Sequence, residues 1–532
     1  MKLCFKTDAK YWRRRATVVA VLALIVSPAV VAPAAANALA VNVSLSADGM
    51  VDGATLGAAE IGPAVLRARV EPSGRQHLAV LTVDGRPAPL ATENGALVWK
   101  PLGLPDGIHR AVLSVPRTLS FPPAKREVTF TIDTRAPELS VQASAAHVKA
   151  TDPVLFSGHV EDGATLTADG KRVPVGHGAF EVRYDAPPPG KVHFVATDPA
   201  GNTSSSDVAV TVDVPPIRAV HVSAYAWATD DLRNGVISLI DQGKINAVEL
   251  DLKDESGAIG YRSNVPLAQQ IGASKAIYDL GAAVAYLHGR NVQVIGRLVA
   301  FRDPVLAAAA WDGGHHEEVI QTQAGEPYQG YGGFTNFANP AVQQYNIAIA
   351  EEAAKAGVDS ILYDYVRRPD GPIQTMVFPG IQGSPEDNIV QFLAATRARL
   401  RPTHALLGAS VFGVAATRPG EIAQDITRMA AESDFIAPMV YPSHWNKGEF
   451  GVADPNHQPY DIVARSLKTF QDKTAGTNAK IVPWLQDFSL GVEYGAPEVA
   501  AQIRAAADDG IEDWLLWDPA VTYTADGIPR AS

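Results

Sequence analysis

Eight short apolar runs, separated by helix-length segments, fill the chain from Arg218 to its end. The runs are RAVHVSAYA (218–226), AVELDLKD (247–254), VQVIGRLVAF (292–301), SILYDYVR (360–367), ALLGASVFG (405–413), FIAPMVYP (435–442), KIVPWLQDF (480–488) and EDWLLWD (512–518). Strands that alternate with helices indicate parallel βαβ units, and eight units in about 300 residues fit a closed barrel. An open doubly wound sheet would carry a glycine-rich loop after its first strand, and VSAYAWATDD has no glycine. We therefore predict an α/β (β/α)8 TIM barrel over residues 218–532.

The preceding region is all-β in pattern. Short alternating runs such as LAVLTVDG, VTFTIDT and KVHFVATD recur between turn sequences such as PDG, EDG and PAGN. Strands spaced in this way are typical of antiparallel sandwiches. Two units close on an alternating strand and a proline link, which predicts immunoglobulin-like (Ig-like) β-sandwiches at 41–135 and 136–214. The chain of 532 residues is accordingly expected to be multidomain.

The first 38 residues have the order of a secretory signal peptide. A basic segment, MKLCFKTDAKYWRRR, precedes the apolar run ATVVAVLALIV and the small-residue stretch AAANALA. We expect cleavage after Ala38 or Ala40 and a secreted or cell-envelope protein; the alternative is an uncleaved membrane anchor. Cleavage would also remove Cys4, the single cysteine of the chain, which excludes disulfides and thiol catalysis.

Charged residues gather where the predicted barrel strands end, which is where barrel enzymes place their catalytic groups. They are Glu249, Asp251, Lys253 and Asp254 in the second strand, Arg297 in the third, Asp364 and Arg367 in the fourth, Asp487 in the seventh and Asp518 in the eighth. Because side chains alternate along a strand, Glu249, Asp251 and Lys253 are predicted to share the face that points into the barrel mouth. A structural ion pair between Asp251 and Lys253 is the alternative.

Asp364 is the sharpest candidate for a catalytic group. It stands between two tyrosines in ILYDYVRRP, at the end of a buried strand. A carboxylate there loses water and is expected to have a shifted pKa unless Arg367 or Arg368 compensates its charge. The alternative reading is a structural salt bridge to arginine.

Tryptophans provide a second signal at the same end of the barrel. Trp227, Trp445, Trp484 and Trp517 lie at or just past strand ends, whereas Trp514 fits the core. Sugar rings pack their C–H faces on aromatic rings, so this placement favours a saccharide cleft. Ordinary core packing is the alternative for each ring.

A set of motifs resembles one known family. KDESGAIGYRSNVP, RLVAFRDPVLA, GVDSILYDYVRRP, SVFG, DFIAPMVYPSHW and WLLWDPAVTYT occur in the order found in the glycoside-hydrolase-like family called domain of unknown function 4015. The resemblance covers about 220 to 524 and implies a TIM barrel related to polysaccharide-cleaving enzymes. The family's K-D-x-x-G segment falls on Lys253, Asp254 and Gly257, its F-D-Y-x-R-F-P segment on Tyr363 to Pro369, and its P-M-x-Y-P-S-H segment on Pro438 to His444. Three positions depart from the pattern: Arg368 replaces an aromatic residue, Thr335-Asn336-Phe337 replaces a tryptophan-bearing segment, and Asp518 stands where asparagine is as frequent.

Together these observations predict a glycoside hydrolase acting on an extracellular or cell-envelope polysaccharide. Such enzymes use two carboxyl groups across the scissile bond. Asp364 is the expected nucleophile or base, and Asp251 and Asp254 lead as its partner. Residues expected to bind substrate or orient the carboxylates are Lys253, Arg297, Arg367, Tyr441, His444, Trp445, Trp484, Asp487, Trp517 and Asp518.

No cofactor or metal is implied by the sequence, and the HHEE run at 315–318 is interpreted as a solvated loop. The net charge of −12 argues against nucleic acid as a partner, and the N-terminal modules could associate with the cell wall. Two rival functions are a non-catalytic carbohydrate-binding protein with a degenerate barrel and a polysaccharide deacetylase. The latter usually needs a metal site of His and Asp, and the strand ends offer little beyond His444.

Overall fold

The computed structural model describes residues 41–48, 50–117 and 121–530, so the predicted signal peptide lies outside the described residues. Two compact units are present. The first comprises the described residues up to Arg135 together with Ala200–Asn202, and the second comprises Ala136–Pro199 and the chain from Thr203 onward. No helix among the described residues is both long enough and apolar enough to cross a membrane.

The first unit is built from two sheets around one apolar core. Its elements are β1 (Asn42–Asp48), β2 (Ala54–Leu56), α1 (Ala58–Ile61), β3 (Val65–Glu71), β4 (Val80–Val83), β5 (Arg86–Ala88), β6 (Ala91–Glu93), β7 (Ala96–Trp99), β8 (Gly107–Val115) and β9 (Ala124–Ile132). The sheet orders are β1-β3-β7-β6 and β2-β9-β8-β4-β5. Alternate residues of β8 and β9, such as Leu113 and Phe130, are buried in the shared core, as the period-2 pattern requires. The Ig-like assignment itself stays a prediction.

The second unit begins with another pair of four-stranded sheets. Its strands are β10 (Leu139–Ala143), β11 (His147–Val148), β12 (Val154–Val160), β13 (Thr165–Ala168), β14 (Lys171–Val173), β15 (Val175–Gly176), β16 (Ala179–Tyr184), β17 (Val192–Thr197), β18 (Thr203–Val208) and β19 (Thr211–Val212). The orders are β10-β12-β16-β15 and β14-β13-β17-β18, with β11 and β19 forming a separate parallel pair. Phe156, Phe180 and Phe194 form the core, and Leu406 from the following region packs into it. The Leu406 contact crosses the predicted domain boundary at 214, which stays a prediction.

A closed parallel barrel occupies the rest of the chain, as the sequence predicted. Its strands are β20 (Arg218–Val222), β21 (Ala247–Lys253), β24 (Gln293–Val299), β26 (Ser360–Asp364), β28 (Leu406–Phe412), β29 (Phe435–Met439), the broken pair β30 (Lys480–Ile481) and β31 (Trp484–Gln486), and β32 (Trp514–Trp517). The circle closes because β20 pairs with both β21 and β32. Four short strands lie outside the circle: β22 (Ile259–Tyr261), β23 (Ser274–Tyr278), β25 (Gln321–Thr322) and β27 (Met376–Val377).

Helices surround this barrel. They are α2 (Ala224–Ala228), α3 (Asp230–Asp241), α4 (Pro266–Gln270), α5 (Leu280–His288), α6 (Pro304–Asp312), α7 (Pro340–Lys355), α8 (Pro385–Leu400), α9 (Ile426–Ala431), α10 (Pro459–Thr474) and α11 (Ala496–Asp508). Local sequence sets their starts: Asn339 caps α7 ahead of a proline, and Ser384 forms a capping box with Asp387 ahead of α8.

The barrel interior changes character along its axis. Toward the amino ends of the strands it is filled by apolar side chains, including Ile295, Leu362 and Phe435. Gly408 belongs to this layer, since a Cβ there would come within 2.2 Å of the Phe435 ring. Toward the carboxyl ends the interior becomes charged, and this end carries the candidate site.

Candidate active site

A cleft of about 490 Å³ opens at the carboxyl ends of the barrel strands. It is lined by Glu255, Arg297, Tyr331, Asp364, Tyr365, Arg367, Phe412, Gly413, Val414, Arg418, Met439, Tyr441, His444, Trp445, Asn446, Glu449, Trp484 and Trp517. The sequence predicted eight of these residues: Asp364, Arg297, Arg367, Tyr441, His444, Trp445, Trp484 and Trp517.

Arg297 on β24 organises the charged floor of the cleft. Its Nε and Nη2 donate to Asp364 Oδ2 over 3.1 and 2.5 Å, and its Nη1 donates to Asp251 Oδ1 over 2.9 Å. Nη2 also donates to Glu255 Oε1. One fully buried guanidinium therefore holds three carboxylates, and its planar fork fits this arrangement.

Asp364 is fixed through both oxygens. Oδ2 accepts from Arg297, and Oδ1 accepts from the backbone N–H of Tyr365 over 2.7 Å. Tyr365 has a φ of 47°, a left-handed backbone conformation that is uncommon for a bulky residue. The Asp364 side chain is only 7% exposed. The cation that pairs with it is thus Arg297, rather than the neighbouring Arg367 or Arg368 that the sequence suggested.

Glu255 was not singled out from the sequence. It follows Asp254 in the turn after β21, and its side chain is 31% exposed in the cleft. Because Glu255 Oε1 and Asp364 Oδ2 both bind Arg297 Nη2 through short contacts, these oxygens lie no more than about 5 Å apart. Its one sequence signal was its place in the KDESG segment, directly after the motif residues Lys253 and Asp254.

The Arg297 charge controls the ionisation of two of its partners. Burial works to raise the pKa of Glu255, but the attraction of Arg297 outweighs it and the pKa lies below its ordinary value. Burial likewise works to raise the pKa of Asp251, and His221 and Arg297 together reverse the shift. Both carboxyl groups are therefore anionic at neutral pH.

The pKa of Glu249 is shifted in the opposite direction, upward. It is completely buried, and within the described residues neither of its oxygens has a hydrogen-bond partner. Burial raises its pKa well above the ordinary range, which the Arg297 charge offsets only in part. Glu249 is thus held neutral behind the anionic carboxylates, with its Oε2 4.0 Å from His221 Nε2.

Glu249→Gln is expected to change the pH dependence of stability. The pKa of Glu249 in the folded protein lies above its value in the unfolded chain, which is about 4.3. The free energy of unfolding therefore falls as pH rises from the unfolded pKa to the folded pKa. The glutamine cannot ionise, so wild type should lose about 1.4 kcal/mol per pH unit relative to the variant within this window. Chemical denaturation from pH 4 to pH 8 measures the difference. A constant offset at every pH would contradict the neutral state of Glu249.

The aromatic side of the cleft consists of tryptophans and a tyrosine. Trp484 is buried and its Nε1 donates to Ser410 Oγ over 3.0 Å, while Trp517 stacks on His221 with ring centroids 4.0 Å apart. Trp445 packs against Gly413, where a Cβ would meet its ring at 2.4 Å. Tyr441 and His444 have ring centroids 5.3 Å apart, and burial lowers the pKa of His444. Trp227, by contrast, is buried against Tyr286 outside the cleft lining, and Trp514 is core.

Lys253 does not share a face with Asp251, contrary to the prediction. The pairing of β21 with β24 shifts register between Asp251 and Lys253, and such a bulge redirects the side chains beyond it. Lys253 Nζ is fully buried and donates to Asp303 Oδ2 over 2.8 Å and to Asn346 Oδ1 on α7 over 2.7 Å. Lys253 therefore stabilises the packing of helix against barrel. The alternative Asp251–Lys253 ion pair is not formed, because Lys253 pairs with Asp303 and Asp251 pairs with Arg297.

Three other predicted acids lie outside the cleft lining. Asp254 Oδ1 accepts from the N–H groups of Ser256 and Ala258, which closes the turn that carries Glu255. Asp487 Oδ2 accepts from Thr524 N and Asp518 Oδ2 from Thr522 N, each over 2.8 Å, and both hold the segment after β32. Burial raises the pKa of Asp487 to about 6.

The side chains of the HHEE run lie closer together than the sequence suggested. Ligand atoms of His315, Glu317 and Glu318 lie within 4.8 Å of one another. Since His315 and Glu317 are largely exposed, the group has the solvated character expected of this loop.

Comparison with known proteins identifies a family. The family model described as "Putative glycosyl hydrolase domain" matches residues 219–523. Among solved structures, the chain is similar to a hypothetical protein from Ruminiclostridium thermocellum, with 30% identity over 36% of this chain and 96% of that chain and a TM-score of 0.32. It is also similar to the glycoside hydrolase domain of PgaB (BpsB) from Bordetella bronchiseptica, at 17% identity over 60% and 100% and a TM-score of 0.44. The spore cortex-lytic enzyme SleL from Bacillus cereus has 10% identity over 60% and 75%, with a TM-score of 0.37. No curated protein sequence matches the chain.

Proposed function

The chain belongs to this glycosyl hydrolase domain family, domain of unknown function 4015, and from that premise we propose that it is a secreted enzyme that cleaves glycosidic bonds of an extracellular or cell-envelope polysaccharide. The observation that carries the proposal is the pair of carboxyl groups, Asp364 and Glu255, which share Arg297 Nη2 in an aromatic-lined cleft. Secretion is supported by the basic and apolar order of the first 38 residues. Association with the cell wall through the two β-sandwich regions is part of the same proposal.

The contacts of the two carboxyl groups suggest different roles. Asp364 has both oxygens engaged by donors and is nearly buried, so its position is fixed and suits attack on the anomeric carbon or stabilisation of positive charge there. Glu255 is more exposed and can exchange protons with a bound sugar and with water. Asp251, which the sequence favoured as the partner, lies beneath Arg297 and acts by holding that guanidinium in place.

These roles define a two-step reaction. Asp364 forms a bond to the anomeric carbon while Glu255 gives its proton to the departing glycosidic oxygen. Glu255 then takes a proton from water, whose oxygen displaces Asp364 and restores both groups. Because Arg297 lowers the pKa of Glu255, the protonated form that begins the cycle is favoured under acidic conditions.

The short carboxyl separation predicts hydrolysis with retention of anomeric configuration. Retaining enzymes place their carboxyl groups about 5 to 5.5 Å apart, whereas inverting enzymes need about 6.5 to 9.5 Å to admit a water. The test has two stages: a panel of bacterial and plant polysaccharides is screened for new reducing ends, and the first-formed anomer is then identified by proton NMR. An inverted product would contradict the assignment of Asp364 as nucleophile. Failure to act on any member of a broad panel would contradict the function.

The rival reading, a carbohydrate-binding protein with a degenerate barrel, expects the carboxyl groups to be too far apart to act together. The shared contact of Asp364 and Glu255 with one nitrogen atom favours the enzyme. The deacetylase function has less support. Such enzymes usually bind a metal through His and Asp, and the segment that brings His444 to the cleft, PMVYPSHW, contains no aspartate.

A further inference from the structure

The two buried arginines of the cleft differ sharply in their partners. Arg297 is bound by Asp251, Glu255 and Asp364. Arg367 is only 2% exposed, yet its one ion pair among the described residues is a 3.6 Å contact with Asp370, whose side chain is half exposed. A buried cation without close anionic partners is costly, so the imbalance needs a physical explanation.

The hydrogen bonding of Arg367 is also incomplete. Nη1 donates to the carbonyl of Arg368 over 2.9 Å, but the buried Nη2 has no partner among the described residues. Leaving a charged donor unsatisfied costs more than a typical hydrogen bond contributes.

Aromatic rings enclose the Arg367 guanidinium. Its central carbon lies 4.2 Å from the ring centroid of Phe412, 4.8 Å from that of Tyr365 and 5.6 Å from that of Tyr331. These faces attract a cation but provide no full counter-charge. The Tyr331 hydroxyl also interacts with Arg367 as a hydrogen-bond acceptor, but Nη2 is still left without a partner among the described residues. All three rings and Arg367 line the same cleft as Asp364.

We propose that this part of the cleft is a subsite for a sugar carboxylate, with Arg367 as the residue that recognises it, so that the substrate is an acidic polysaccharide containing uronic acid units. The proposal rests on the glycosidase function and specifies its substrate class. A carboxylate supplies both the missing charge and an acceptor for Nη2, whereas a neutral hydroxyl supplies only the acceptor. Arg367 lies over the ring of Tyr365, whose backbone N–H binds Asp364, so the subsite adjoins the reacting carboxyl pair.

Tyr331 covers part of this subsite. Its ring lies over Arg367, its side chain is 41% exposed and its hydroxyl donates to Asp370 Oδ1 over 2.5 Å. The backbone around it is left-handed, with φ of 56° at Tyr331 and 81° at Gly332. Such strained positions occur at ligand clamps. Binding requires Nη2, which is buried, to become accessible. We expect rotation of Tyr331 away from Asp370 to expose it, so that the incoming carboxylate takes the place next to Arg367 that Asp370 now occupies in part.

Matched pairs of polysaccharides test the subsite. Alginate, polygalacturonate and hyaluronan oligomers are each compared with their carboxyl-reduced forms, which keep the backbone and lose the charge. Binding is measured by calorimetry with the Asp364→Asn protein, so that turnover does not interfere. At least one acidic oligomer should bind about tenfold or more tightly than its reduced form, and Arg367→Met should remove that difference. Asp370→Asn, at a half-exposed position, should strengthen acidic binding severalfold because it removes the competing carboxylate.

The outcomes separate the subsite from the function. Equal binding of acidic and reduced oligomers, or weaker acidic binding in Asp370→Asn, overturns the subsite. No binding of any acidic oligomer overturns it as well. If wild type releases reducing ends from neutral polysaccharides alone, the hydrolase function is supported and the carboxylate subsite is contradicted. If acidic oligomers bind but no polysaccharide yields reducing ends, the subsite is supported and the hydrolase function is contradicted.

Discussion

Asp364→Asn is expected to lower kcat by about three or more powers of ten while costing only about 1 to 3 kcal/mol of stability. The activity falls because the amide cannot form the bond to the anomeric carbon. The stability falls little because Arg297 keeps two other carboxylates, Asp251 at 2.9 Å and Glu255 in direct contact. Activity and the free energy of unfolding are measured on the same preparation.

Asp359→Asn is the matched control for that variant. Asp359 immediately precedes β26, at the end opposite Asp364, and its Oδ2 accepts from Val294 N over 2.8 Å. The same substitution there should cost some stability and leave kcat unchanged. Full activity in Asp364→Asn would refute its catalytic role. A stability loss of about 3 to 5 kcal/mol would instead indicate that Asp364 is chiefly a structural partner of Arg297.

Arg297→Met is expected to have the largest effect on stability. Removing the guanidinium leaves Asp251, Asp364 and Glu255 close together without their shared cation, at a cost of about 3 to 5 kcal/mol or more at pH 7. Turnover should be lost as well, because the same contacts set the positions of Asp364 and Glu255.

The pH dependence of Arg297→Met should be reversed relative to wild type. In wild type the pKa values of Asp251 and Glu255 are lowered, so their contribution is present above the ordinary carboxyl range and is lost as pH falls through the folded values. Without Arg297 burial raises both pKa values, so the variant should gain stability relative to wild type as pH falls from 7 toward 5. Denaturant titrations at each pH measure this change.

Arg401→Met provides the comparison for losing a buried arginine. Arg401 pairs with Asp434, outside the cleft lining, and Arg397 lies 3.6 Å from the same carboxylate. This variant should be destabilised but keep its activity per folded molecule. An Arg297→Met protein that retained turnover, or that lost stability as pH fell, would contradict the role of Arg297 as the common partner.

The barrel could be predicted from the sequence because its signal is periodic and repeated eight times. All eight runs form barrel strands, from β20 to β32, and the prolines and capping residues at 339–340 and 384–385 mark helix starts. Such local rules act within a few residues and need no tertiary information.

The site was only partly predictable from the sequence. A β-bulge and a turn determine which side chains reach the cleft, and strand alternation predicts neither. A bulge after Asp251 sends Lys253 toward Asp303, and no residue in AVELDLKD marks it. Glu255 reaches the cleft because Asp254 closes a turn through hydrogen bonds to Ser256 and Ala258. Of the two adjacent acids, the motif pointed to Asp254, which shapes the turn, whereas Glu255 is the acid that lines the cleft.

The partners of the charged groups were the least predictable feature. Proximity in sequence suggested that Arg367 or Arg368 pairs with Asp364, but Arg297 on the neighbouring strand does so. Arg368 donates to the carbonyls of Pro369, Gly371 and Gly420 instead. Arg297 is in register with Leu362, two residues before Asp364, so Arg297 and Asp364 lie on the same face of neighbouring strands, whereas Arg367 and Arg368 lie beyond the end of β26.

If Asp364 and Glu255 form the reacting pair, the release of reducing ends must depend on both side chains. Wild type, Asp364→Asn, Glu255→Gln and Asp254→Asn are compared on the polysaccharide that wild type degrades. Activity should fall by about three or more powers of ten in Asp364→Asn and by at least about a hundredfold in Glu255→Gln. Asp254→Asn should remain within a few fold of wild type, because the amide oxygen can still accept the turn hydrogen bonds from Ser256 and Ala258. Turnover that survives in Glu255→Gln but is lost in Asp254→Asn would contradict this assignment.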